Sequence, residues 1–203
     1  KTIKVSYKFK MRLITALHCG MGEEHPRGAA DIVKNGRGEY IIPGSSLAGV
    51  FFDNLQRIFP DITEKDLYKK CTLRNATEHD KDKDKAEASN LIFRTVTFNK
   101  DAVVLIRDRV KIEKSTKTAE DGAKFSYLEI EPVTDKGEAL NFEINIEIDN
   151  ISKVGKSKLS KDSINEIDKW VKSIAYCWHN EGVAFGGFSS SGNGWAKLEK
   201  AEC

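Results

Sequence analysis

The chain has 203 residues, of which 39% are hydrophobic and 32% charged. That composition is globular, and the length is enough to bury a core without a disulfide or a structural metal. No apolar run approaches the ~20 residues of a membrane-spanning helix and no signal peptide opens the sequence, so a cytoplasmic protein with no membrane partner is expected. The four cysteines, Cys19, Cys71, Cys177 and Cys203, lie far apart and read as reduced thiols. Thirty-three basic against thirty-one acidic residues leave a net charge of +2, which by itself favours no partner. The charge is unevenly spread: residues 1–60 hold nine Lys and Arg against five Asp and Glu, and residues 101–150 hold seven against twelve.

Residues 2–14 alternate with period two. Ile3, Val5, Tyr7, Phe9, Met11 and Leu13 point one way, and Lys4, Lys8, Lys10 and Arg12 the other, which predicts a strand with one buried face. Residues 18–44 are rich in glycine and proline and read as a long loop. Pro43-Gly44-Ser45-Ser46 opens a helix with Ser45 or Ser46 as its N-cap. Leu47, Val50, Phe51, Leu55, Ile58 and Phe59 keep the helical period until Pro60. Residues 61–90 are polar and read as a charged insertion. Strands are expected at Leu91–Phe98, Val103–Ile112, Phe125–Val133 and Leu140–Asp149, with Lys114–Lys124 as a loop or hairpin tip. A second helix is expected from about Ser160 to His179, and a last strand over Trp195–Glu199. This order predicts a single α+β domain over residues 1–203, an antiparallel sheet with two helices on one face in the ferredoxin-like or RRM-like plan. The basic residues of the first strand would then lie on the open face, which RNA-binding sheets of this plan use.

Two segments carry candidate chemistry. Between Gly186 and Gly194 there are four glycines and three serines in nine residues, which lets backbone approach another backbone or a phosphate closely. The start of the helix at Pro43–Ser46 offers free N–H groups and hydroxyls, a geometry suited to anions as well as to ordinary capping. The histidines His18, His25, His79 and His179 form no HExxH or paired Cys-x-x-Cys metal signature, and Cys71 with His79 is too sparse for a closed zinc site. There is no P-loop and no aromatic RNP motif. Asp31, flanked by Ala29, Ala30, Ile32 and Val33, is a carboxylate in an apolar setting.

Taken in order, these segments resemble the RAMP superfamily of CRISPR proteins. Thr15-Ala16-Leu17-His18-Cys19-Gly20-Met21-Gly22 is similar to its "T-G-L-H-I-G-G-G" strand end, and Ile42–Gly49 to its "I-P-G-S-S-L-K-G" helix start. Leu91–Arg94 resembles "L-I-F-R-D". Ile112-Glu113-Lys114, Gly122–Phe125 and Glu131-Pro132 resemble its next conserved stretch, and Gly186–Gly194 its C-terminal Gly-rich loop. The resemblance is strongest to the backbone subunit of type III effector complexes, and it implies a modified RRM that binds guide CRISPR RNA beside neighbouring RAMP subunits. It implies a thumb at about 113–124, including Ser115, Thr116, Lys117 and Thr118. It also implies that Asp31 cuts paired target RNA with Mg²⁺ or another divalent cation. RNA contacts are expected from His18, Ser45, Ser46, Lys8, Lys10, Arg12, Gly186, Gly187, Ser189, Ser190, Gly192 and Gly194. The chain departs from the pattern at Ala48, where Lys is usual, at Phe52, where Arg is usual, and at Ser190 and Ser191, where basic residues are usual. A scaffold that binds without cutting, and a guide-processing endoribonuclease using His18 or His25, are the alternatives.

Overall fold

The computed structural model describes residues 4–24, 29–72, 89–112, 119–149 and 158–203. The thumb residues Ser115–Thr118, His25, and positions 73–88 with His79 lie outside them.

The first strand, β1 (Lys4–Leu13), is the centre of a five-stranded antiparallel sheet. On one side it pairs with β9 (Asn141–Asp149), and on the other with β11 (Trp195–Glu202). The short strands β5 (Leu91–Phe93) and β10 (Val183–Ala184) close the two edges. The register sets Phe9 opposite Ile144 and Met11 opposite Phe142, so the apolar sets of β1 and β9 share one face. Tyr7, Phe9, Met11, Leu13, Ile144, Ile146 and Ile148 are all buried there.

Two helices cover that face. α1 (Gly44–Ile58) buries Leu47, Phe51, Phe52 and Leu55. α3 (Lys161–Asn180) buries Ile167, Trp170, Val171, Ile174 and Trp178. Trp178 is the joint between the layers: its ring meets Phe9 of β1 edge-on at 6.0 Å, Phe51 of α1 at 6.4 Å and Phe185 at 5.6 Å. Ser160 caps α3 by accepting from the Ser163 N–H.

A second sheet orders β2 (Gly20–Glu24), β3 (Ala29–Ile32), β8 (Ala119–Thr134) and β7 (Ala102–Ile112). β7 and β8 form a long antiparallel hairpin, and β3 runs parallel to β8. β4 (Ile41–Ile42) pairs with β6 (Val96–Thr97). The stretch 18–44 is therefore not an open loop. Its strands are short: β2 pairs with neighbouring β3, and β3 and β4 find further partners far along the chain, which local alternation does not reveal.

Three further expectations change. Pro43, not a serine, is the N-cap of α1: no side chain caps the helix, and the Pro43 carbonyl accepts from Ser46 and Leu47. The start of the polar stretch packs on the core, through a 3₁₀ turn (Pro60–Glu64) and α2 (Asp66–Cys71), which bury Ile62, Leu67, Tyr68 and Cys71. The hairpin resumes at Ala119, so the expected tip, Lys114–Lys124, is in part strand.

Candidate functional site

β1 ends at Leu13, and the chain continues along a seam between the two sheets. Leu17 exchanges both backbone hydrogen bonds with Ile130 of β8, at 2.9 and 2.8 Å. One residue on, the His18 carbonyl accepts from the Gly187 N–H at 2.7 Å, and the Ala16 carbonyl accepts from Gly194 at 2.7 Å. The Gly-rich loop is thus clamped at both ends to residues 16–18. This close approach is what two of its glycines serve. A Cβ on Gly186 (φ +74) would lie 2.2 Å from the His18 carbonyl oxygen, and one on Gly194 (φ +73) 1.9 Å from that of Phe185. These two glycines meet backbone.

Beside the seam is a cleft of about 580 Å³ between residues 18–20, the first turns of α1 and the Gly-rich loop. His18, Ser46, Gly186 and Gly187 line it together with Asp53 and Phe188. The described lining has no Lys or Arg, and Asp53 is its one carboxylate. His18 is 6% exposed, and its Nδ1 lies 2.6 Å from the Leu128 carbonyl oxygen. A carbonyl only accepts, so Nδ1 carries the hydrogen and donates. Nε2 faces Gly20, where a Cβ would come within 2.7 Å. The imidazole is further held by the rings of Tyr127 and Phe188, at 5.3 and 5.2 Å. Burial pushes the neighbouring Cys19 thiol pKa up, and a hydrogen bond with Ser46 opposes that shift.

The remaining sequence candidates lie elsewhere. Ser45 faces a second, mostly apolar cavity of about 400 Å³ lined by Ala48, Phe52, Cys71, Thr72 and Phe93. Adjacent serines on α1 therefore serve different walls. Ser189 and Ser190 are exposed in a 3₁₀ turn that Gly192 ends, and Ser191 is hydrogen-bonded to Arg109. Lys8, Lys10 and Arg12 lie on the open face of the main sheet, but β9 and β11 bring acids beside the two lysines. Lys8 pairs with Glu143 at 3.5 Å and Lys10 with Glu202 at 3.2 Å, so this face is mixed in charge.

Asp31 sits on β3, outside the lining of the cleft. Its Oδ1 accepts from the Ile32 N–H at 2.7 Å and its Oδ2 pairs with Lys34 at 3.2 Å. The side chain is 17% exposed. Among the described residues no group of three or more His, Cys, Asp or Glu could hold a metal ion. A lone carboxylate with both oxygens engaged and an ammonium beside it does not fit a resident divalent cation.

Sequence reasoning missed the network behind the loop. Arg109 of β7 donates from Nε to the Tyr127 hydroxyl at 2.7 Å and from its terminal nitrogens to Ser191 and, at 2.7 Å, Asn193. Buried Asn193 donates to Glu129 at 3.0 Å, and Glu129 accepts from Arg107 at 2.5 Å. Arg107 also donates to Glu131 at 2.9 Å. The signal for it was the alternation Arg107, Arg109 against Tyr127, Glu129 and Glu131, which becomes readable only with the register of the hairpin.

The sequence model of the RAMP superfamily matches residues 10–197. The chain belongs to the RAMP superfamily. It is similar in fold to a chain of the cryo-EM structure of the Type III-B Cmr-beta bound to cognate target RNA, with a TM-score of 0.66 and 13% identity over 96% of each chain. It is also similar to a chain of the Type III-B Cmr-beta in the apo state, with a TM-score of 0.61 and 14% identity over 95% of this chain and 96% of that one. At these identities the likeness is one of fold. No curated protein matches the sequence. Among the described residues no helix is long and apolar enough to cross a membrane.

Proposed function

We propose that this chain is a guide-RNA-binding subunit of a type III CRISPR effector complex, placed beside other RAMP subunits and in contact with the target RNA. The observation that supports it best is the cleft in which His18, Ser46, Gly186 and Gly187, candidates drawn from three distant segments, meet at the root of the hairpin. RAMP membership and the fold of a Cmr-beta chain favour the same reading. Base pairing would read the sequence, and the protein the shape of the RNA.

The same reading assigns target cleavage to Asp31. Its carboxylate would take the proton of a target ribose 2′-OH as that oxygen bonds to the neighbouring phosphorus; the bond to the 5′-oxygen breaks, that oxygen takes a proton from water, and a 2′,3′-cyclic phosphate is left. Lys34, already beside Asp31, would offset charge on the phosphoryl oxygens. The second reading, a scaffold that does not cut, is favoured by one observation: both Asp31 oxygens already have partners.

Cleavage of labelled target RNA by the reconstituted guide complex, with Mg²⁺ and with EDTA, separates the two. Asp31→Ala is expected to remove evenly spaced cuts, with assembly and target binding unchanged. Unchanged cutting by the variant would establish the scaffold. Loss of the cuts in EDTA would show a metal requirement that the Asp31 site alone does not account for.

A further inference from the structure

We propose that Phe188, with Phe125 beside it, is a stacking platform for an unpaired nucleobase of RNA lying in the cleft; the proposal rests on the RNA-binding reading above. Phe188 has φ 59 and ψ 22, and is the one described non-glycine residue with positive φ. Bulky side chains avoid this region, and a loop so rich in glycine could have filled the position without strain. The backbone there instead presents an aromatic ring, partly exposed, at the wall of the cleft.

The ring is held in place. The Arg109 guanidinium lies 4.9 Å from its centroid, Tyr127 packs at 4.6 Å, and Phe125 stacks at 6.0 Å with 27° between the planes. Arg109 is itself fixed by Tyr127, Ser191 and Asn193. Phe125 remains 41% exposed, so the pair offers aromatic surface outward. Rings and a fixed guanidinium are the groups on which single-stranded bases stack.

The test uses the full chain and single-stranded RNA containing 2-aminopurine, whose fluorescence falls on stacking. Phe188→Gly relieves the left-handed strain while removing the ring, and Phe188→Tyr keeps the ring. Phe125→Ala alters an exposed side chain and serves as a second probe that leaves the fold intact. Phe188→Gly is expected to weaken binding about five- to hundredfold and to restore fluorescence. Phe188→Tyr is expected to stay within about twofold of the original chain, and Phe125→Ala to lose part of the quenching. Undiminished affinity and quenching in Phe188→Gly would overturn the proposal while leaving RNA binding intact. So would unfolding of Phe188→Gly combined with unchanged RNA affinity in Phe125→Ala, because the rings would then be packing alone. Unchanged RNA affinity with loss of a neighbouring subunit from the reconstituted complex would make the face a protein contact. Failure of the original chain to bind RNA would overturn the functional reading, and this proposal with it.

Discussion

Gly186→Ala would set a methyl group against the His18 carbonyl, and Gly194→Ala would do the same against Phe185. Each also forces an L-residue into the left-handed region, which alone costs about 1–2 kcal/mol. Each variant is expected to lose more than about 2 kcal/mol of stability in urea titration. The unusual composition of residues 186–194 was plain in the sequence, but its purpose was not: Gly186 and Gly194 let backbone meet backbone. Asp31 shows the converse. The sequence singled out the carboxylate, but not its ion pair with Lys34, because three residues' separation says nothing of direction on an irregular strand.

Between elements, the Tyr7 hydroxyl donates to Asp168 at 2.7 Å and so ties the central strand to α3. Burial, then the bond to Asp168, push the Tyr7 phenol pKa well above its ordinary value. Burial would raise the Asp168 carboxyl as well, but hydrogen bonds from Lys172 and Tyr7 outweigh it and hold the pKa below the usual range. Tyr7→Phe is expected to lose about 1 kcal/mol at neutral pH. A depressed carboxyl contributes stability that is full above its unfolded value of about 3.9 and is lost as pH falls through its folded value. The difference between variant and original in thermal melts should therefore shrink below about pH 4. β1, β9 and α3 were legible because their periodicity runs for nine residues or more. β2, β3 and β4 were not, because they are two to five residues long, and β3 and β4 depend on partners far along the chain. Charged neighbours concealed α2, whose inward residues Leu67, Tyr68 and Cys71 stand among lysines and acids.

Across the whole molecule, the α+β plan could be read from element order, but the distribution of charge could not. The basic stripe of β1 is met by Glu143 and Glu202 from the strands on either side, and the cleft lining has no described cation. Lys8→Gln and Lys10→Gln are each expected to change RNA affinity less than about twofold and to leave the slope of log K against log salt nearly unchanged, since a paired lysine releases few counterions. The seam at residues 16–18 has a consequence for motion. Within three residues the backbone fastens the main sheet to the hairpin through Leu17 and Ile130, and to the Gly-rich loop through Gly187 and Gly194. No one of these parts can open here without breaking bonds that hold another. The amide protons of Leu17, Ile130, Gly187 and Gly194 should therefore exchange with deuterium at one common rate, as a single cooperative unit, even though the loop tip at Ser189 and Ser190 exchanges freely.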